Sequence, residues 1–213
     1  MQTVLLTGFE PFDKDVVNPS WEAVRQLDGV QLAPDVQIVA RRLPCAFATA
    51  GECLTRLIDE LRPAMVIATG LGPGRSTLSI ERVAINVNDA RIPDNLGEQP
   101  VDTAVIADGP AAYFTTLPIK AMVKAVREAG IAASVSQTAG TFVCNQVFYL
   151  LQHALAGSGV RSGFIHVPFL PEQVAGSQQP SMALGMMVAG LQVALLAAWQ
   201  TLVDVKEAGG QVS

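Results

Sequence analysis

Short apolar runs of strand length alternate along this chain with longer stretches whose apolar residues recur every three or four positions. Residues 3–7, 36–40 and 64–69 read as buried strands, while residues 47–61 put Phe47, Leu54, Leu57, Ile58 and Leu61 on one helical stripe. A polar and aromatic loop, residues 8–19, follows the first strand. Ser20 is expected to cap the next helix, with Trp21, Val24 and Leu27 on its buried face. Residues 78–86 look extended. Residues 118–129 carry Ile119, Met122, Val123 and Val126 at helical spacing, and Gly130 stops that helix. Residues 132–136 predict a strand, and Val143, Val147, Leu150, Leu151, Ala154 and Leu155 mark one face of the helix after it. Residues 163–167 predict one more strand. This alternation is the signature of βαβ units and hence of an α/β fold on a largely parallel sheet. Neither repeat nor linker interrupts it, so residues 1–213 are expected to form one domain.

Residues 182–199 carry no charge and approach the length of a membrane span. Gly185, Gly190 and Gln192 interrupt them and no Lys or Arg flanks them closely, so a covering helix on the sheet is expected and no membrane partner. Half of the residues are apolar and the formal net charge is -5. That balance argues against nucleic acid, which needs clustered Lys and Arg; Arg41-Arg42 is too little. Cys45, Cys53 and Cys144 stand at irregular spacings without a CxxC pair, which indicates neither a zinc site nor a disulfide framework. The chain opens on a strand pattern without a basic leader, and free thiols suit a reducing compartment, so a cytoplasmic location is expected.

The candidate chemistry centres on Ala139-Gly-Thr-Phe-Val-Cys144-Asn, where a small-residue turn delivers Cys144 to the first turn of a helix. Unpaired amides and the positive end of the helix dipole are expected to favour a thiolate there. Cys45 and Cys53 lack that setting and read as structural. Of the two histidines, His153 falls mid-helix, roughly 13 Å along the axis from Cys144, which is too far for proton transfer. His166 ends a strand and is the expected base. Glu81 is the expected orienter of that imidazole, with Asp89 and Asp94 as alternatives and a surface pairing with Arg82 as the plainer reading. Arg91 is a candidate to polarise the substrate carbonyl. The turn Gly70-Leu-Gly-Pro-Gly-Arg75 lacks a P-loop's Lys-Ser/Thr and reads as a sharp strand-end turn. In open sheets of this type ligands bind at the carboxyl ends of strands. Residues 8–19, residues 70–75, Cys144 and His166 are each expected at such an end, converging on one crevice.

Six segments in order resemble the pyroglutamyl-peptidase I (pyrrolidone-carboxylate peptidase) family of cysteine peptidases. They are Gly8-Phe-Glu-Pro-Phe12, Asn18-Pro-Ser20, Glu81-Arg-Val-Ala-Ile-Asn86, Asp89-Ala-Arg-Ile-Pro-Asp-Asn95, Gly140-Thr-Phe-Val-Cys-Asn145 and His166-Val-Pro-Phe-Leu-Pro171. The resemblance implies a three-layer α/β/α sandwich around a twisted, largely parallel sheet and a Cys144–His166–Glu81 triad. It implies an omega-peptidase that removes an N-terminal pyroglutamyl residue from peptides through an acyl-enzyme, without metal or cofactor, commonly as a homotetramer. By the family pattern Phe9 and Phe12 wall the pocket, with Phe142 and Val143 beside the nucleophile, while Asn18 braces the first loop. A small uncharged lactam calls for apolar walls and a few fixed polar partners. Leu71 departs from the family, where Gln is frequent. Two other readings remain at this point: a nucleoside phosphorylase on a related sheet, with residues 70–75 as its only phosphate hint, and a non-catalytic homologue that kept the fold.

Overall fold

The computed structural model describes residues 1–210. In chain order the strands are β1 (Gln2–Phe9), β2 (Gln31–Ala33), β3 (Val36–Leu43), β4 (Met65–Leu71), β5 (Leu78–Glu81), β6 (Val83–Ile85), β7 (Ala112–Phe114), β8 (Ala133–Ser136) and β9 (Arg161–Val167). The helices are α1 (Pro19–Val24), α2 (Phe47–Leu61), α3 (Ile119–Glu128), α4 (Val143–Ala154) and α5 (Leu184–Gln200). Seven strands form one sheet in the order β2-β3-β1-β4-β9-β5-β8, and β6 pairs with β7 beside it.

Period-two alternation along the strands divides the core in two. Val4, Leu6, Ile38, Ile67, Ile80 and Ile165 meet α1, α3 and α5, whereas Leu5, Val66, Ala68 and Phe164 meet α2 and α4. The fold is thus α/β in three layers, as expected. On α5, Met187, Leu191, Ala194, Leu195 and Ala198 face the sheet, a spacing that lays one side of an apolar helix on the strands. No helix among the described residues is long and apolar enough to cross a membrane.

Strand direction departs from a simple parallel order. β3, β1, β4 and β9 run parallel, but β5 is antiparallel to β9 and carries β8 with it. A parallel return needs a crossover of roughly a dozen residues or more, and residues 72–77 between β4 and β5 are too few. The expectation that every site segment follows the end of a parallel strand is corrected accordingly. It holds for β1, β4 and β9, whereas Cys144 arrives after β8 through the loop of residues 137–142.

Helix starts differ from expectation in an informative way. Pro19 occupies the first turn of α1, so the cap is Asn18, whose Oδ1 accepts from the Ser20 amide at 3.1 Å. Ser20 instead accepts from the Phe9 amide at 3.0 Å, tying α1 to the end of β1. Asn18 also donates to the Glu10 carbonyl at 2.9 Å and so braces the first loop. At α2 and α3 the acceptors come from distant loops. Asp94 takes the Phe47 amide at 2.7 Å, and Asp204 takes those of Lys120 and Ala121 at 3.1 and 2.9 Å.

Candidate active site

The same alternation selects which strand residues reach the α2/α4 side. On β9, Ile165 and Val167 enter the α1/α3/α5 core, so Phe164 and His166 point the other way. On β5, Leu78 and Ile80 enter that core, which turns Ser79 and Glu81 to the side of His166. Ser79 pairs with His166 in the antiparallel register, so Glu81 is a diagonal cross-strand neighbour of the imidazole. Glu81 Oε1 accepts from His166 Nδ1 at 2.7 Å, and both side chains are buried. The carboxylate also meets Arg75 Nη2 at 3.1 Å.

Cys144 lies in the first turn of α4, where no side chain caps the helix. The loop before it turns through Gly140, whose φ of +78° favours glycine. Thr141 pins that loop by donating to the Asp89 carbonyl at 2.7 Å. Asn145, fully buried, fastens the helix: it donates to the carbonyls of Ile85 and Val87 and accepts from the Ile85 amide at 3.0 Å. Gly70 pairs with His166 across β4 and β9, and a Cβ there would stand 2.7 Å from Cys144 Sγ. The missing side chain is the space the sulfur occupies. Cys144 and His166 line one cavity of about 420 Å³.

Burial governs the electrostatics. Desolvation, reinforced by the Glu81 charge, pushes the Cys144 thiol up to about 12 and outweighs Arg75 and the backbone amide, which both favour the thiolate. The site thus sets burial against the helix-end amides on which the expected thiolate depends. His166 is held below its ordinary value, mainly by burial and also by Arg75, against the opposing pull of Glu81. Both directions favour the uncharged forms, a thiol and an imidazole whose Nδ1 faces the Glu81 carboxylate. Such an imidazole presents Nε2 as a base.

Phe9, Phe12, Phe142 and Arg91 line the cavity with Cys144 and His166. The Phe142 ring centroid lies 5.1 Å from that of Phe12 and 5.1 Å from that of Phe47, so an aromatic wall stands beside the sulfur. Val143 does not join it; its side chain is fully buried in the core behind the site. Adjacent helical positions diverge by about 100°, and only one of Val143 and Cys144 faces the cavity. Cys45, read as structural, does line the cavity, with its thiol raised by burial. His153 is exposed near the far end of α4, with Nδ1 2.9 Å from the Tyr113 hydroxyl. Asp94 uses both carboxylate oxygens on amides of the α2 start and its own loop, and Asp89 is exposed at the rim. Arg82 donates to Gln137, not to Glu81. Sequence reasoning gave Arg75 no role beyond a turn, although its place after three closely spaced glycines was the available signal. Its guanidinium is engaged by Glu81, which removes the cation that a phosphate site at residues 70–75 would require. Among the described residues no group of three or more His, Cys, Asp or Glu is disposed to hold a metal ion.

Comparison with known proteins bears on this geometry. The family model described as pyroglutamyl peptidase matches residues 2–201. The chain is 89% identical over 213 residues to a pyrrolidone-carboxylate peptidase of Pseudomonas fluorescens, covering 100% of both chains. The crystal structure of pyroglutamyl peptidase I from Bacillus amyloliquefaciens superposes with a TM-score of 0.92 at 42% identity, covering 96% of this chain and 100% of that one. The pyrrolidone carboxyl peptidase of Thermococcus litoralis gives a TM-score of 0.93 at 38% identity, over 98% and 100% of the two chains.

Proposed function

The chain belongs to the pyroglutamyl peptidase family of hydrolases, and from this premise we propose that it releases N-terminal pyroglutamate from peptides by a Cys144–His166–Glu81 thiol mechanism. The observation that carries this reading is the 2.7 Å contact of His166 with Glu81 at the cavity that Cys144 also lines. The pyroglutamyl ring lies against Phe12 and Phe142, with Phe9 behind them, and Arg91 at the rim helps polarise its carbonyl.

Because burial favours the protonated thiol, proton removal is assigned to the chemical step. Nε2 of His166 takes the Cys144 proton as sulfur bonds to the acyl carbon of the pyroglutamyl residue. Charge then develops on the carbonyl oxygen, and amides at the start of α4 donate to it. Glu81, accepting from Nδ1, stabilises the imidazolium and fixes its tautomer. The imidazolium gives its proton to the leaving nitrogen as the C–N bond breaks, which leaves a thioester on Cys144. Water, deprotonated by the same Nε2, attacks the thioester; pyroglutamate departs and the sulfur recovers its proton.

The reading extends to setting and assembly. Cys45, Cys53 and Cys144 are free, which suits a reducing cytoplasm. Val193, Leu196 and Trp199 are only half-buried on the outer side of α5, and Met186 is exposed there; a further copy of the chain in a homotetramer would cover them.

The test is release of 7-amino-4-methylcoumarin from its pyroglutamyl amide, run beside inosine with phosphate. Wild type is expected to cleave the amide and leave inosine intact, and Cys144→Ser to lose about 10⁴-fold or more in kcat. Turnover of the amide by folded Cys144→Ser at the wild-type rate would overturn the mechanism.

A further inference from the structure

Glu81 is fully buried, and an ion so placed needs fixed partners. His166 supplies one. The other is Arg75, whose Nη2 stands 3.1 Å from Glu81 Oε1 and at the same time donates to the Thr138 carbonyl at 2.9 Å. Thr138 belongs to the loop that delivers Cys144. One guanidinium nitrogen therefore bridges the carboxylate behind the imidazole and the backbone before the nucleophile.

The surroundings are shaped for that bridge. Residues 72–75 form a turn closed by the Arg75 amide on the Gly72 carbonyl at 3.2 Å, and the Gly72 amide fastens the turn to the Val167 carbonyl at 2.9 Å. A Cβ on Gly72 would stand 2.5 Å from Arg75 Cδ and 3.0 Å from His166 Cβ. Any other residue at position 72 would push the arginine off Glu81 or press on the histidine. Ser136 Oγ also donates to the Thr138 carbonyl, at 3.0 Å. Arg75 is three-quarters buried, with a side-chain exposure of 25%.

We propose that Arg75 is a positioning residue for this reaction, acting through Glu81 and the Thr138 carbonyl to hold orienter, base and nucleophile loop in one geometry. The inference rests on the thiol mechanism above. Arg75 also borders the cavity, but its guanidinium is turned to Glu81 and Thr138, so as a positioning residue it acts on kcat more than on KM. The charged and titratable groups packed around His166 are Glu81 from β5, Arg75 from the turn after β4 and Cys144 from α4. Of these, Arg75 favours the neutral imidazole, and removing its charge moves the acid limb of activity to higher pH.

Arg75→Gln, Arg75→Lys, Glu81→Gln and the double variant Arg75→Gln/Glu81→Gln are compared with wild type for kcat, KM and the pH profile of kcat/KM. Thermal unfolding is followed in parallel. Arg75→Gln is expected to lower kcat by about 10- to 100-fold, the scale of one lost charge-assisted hydrogen bond, with KM changed less. Its acid limb moves up in pH. Arg75→Lys recovers part of the rate, because it restores the charge without the fork. The double variant loses less than the two single losses multiplied together, because part of what Arg75 does passes through Glu81. Additive losses, a rise in KM alone, or an unmoved acid limb with lowered thermal stability would each overturn the assignment. If Arg75→Gln is fully active while Cys144→Ser is dead, this inference fails and the thiol mechanism stands. If Cys144→Ser is active, the mechanism fails first.

Discussion

The two faces of the central sheet are built from the same strands and put to different uses. On β5 and β9 the side toward α1, α3 and α5 offers Leu78, Ile80, Ile165 and Val167, all aliphatic and buried. One residue along each strand, the side toward α4 offers Ser79, Glu81 and His166, equally buried but polar. Each aliphatic side chain stabilises the fold by roughly 1.5–3 kcal/mol through loss of contact with water. Glu81 and His166 are costly to bury; His166 and Arg75 both meet Glu81 Oε1, while Oε2 is buried without a hydrogen-bond partner. A buried polar network of this kind is high-stakes, and breaking it is destabilising. The contrast teaches that along β5 and β9 packing and chemistry alternate residue by residue, within a few ångströms of each other, while the α2/α4 side keeps an apolar core of its own from Leu5, Val66, Ala68 and Phe164.

The division can be broken first on the polar side. His166→Ala is expected to lose about 10⁴-fold or more in kcat while circular dichroism reports the native fold. A smaller and opposite result belongs to the aliphatic side. Leu191→Ala, in the α5 contact with the sheet, should cost about 2–5 kcal/mol of unfolding free energy in urea while each folded molecule keeps its activity. Loss of activity in proportion to stability for both variants would show that the two faces are not separable. The subtlest effect is one of pH. His166 is held below the ordinary histidine value of 6.5, so it stays neutral and basic somewhat into the acid range. The acid limb of kcat/KM is therefore expected below that value, with activity lost as pH falls through the lowered pKa. Stability follows the same sign. The unfolded chain binds that proton more readily, so the native state weakens as pH drops below the ordinary histidine range. A limb above 6.5 would mean that the Glu81 attraction outweighs burial.

Much of this division is written in local sequence. The span of α2, residues 47–61, follows from its apolar stripe, and Cys144 falls in the first turn of α4 as the Gly-Thr turn implies. Glu81 stood among three candidate partners for His166, and only the family likeness singled it out, because the pairing depends on a strand register between residues 85 positions apart. The direction of β5 and β8 was missed, since short apolar runs carry no sign of orientation. The acceptors at the starts of α2 and α3 were missed for a related reason: Asp94 and Asp204 reach them from distant loops, past Ala46 and Pro118 at the local cap positions. Val143 and Cys45 exchanged their expected places because cavity lining depends on where each backbone turns its side chain. Arg75 went unread for want of its partner, a carboxylate two strands of sheet away in the order β4-β9-β5.

Residues 86–111 form neither helix nor ladder, yet they supply Asp89, Arg91 and Ile92 to the cavity rim. They are held along their length by side-chain amides and carboxylates: Asn86 on Ile106, Asp94 on the α2 start, Asn95 on Glu10 and Pro11. An irregular span of this length is costly to order, and the bonds that fasten it lie within the chain itself. A wall tied down in this way leaves a small ligand's binding energy for recognition rather than for assembling its own site.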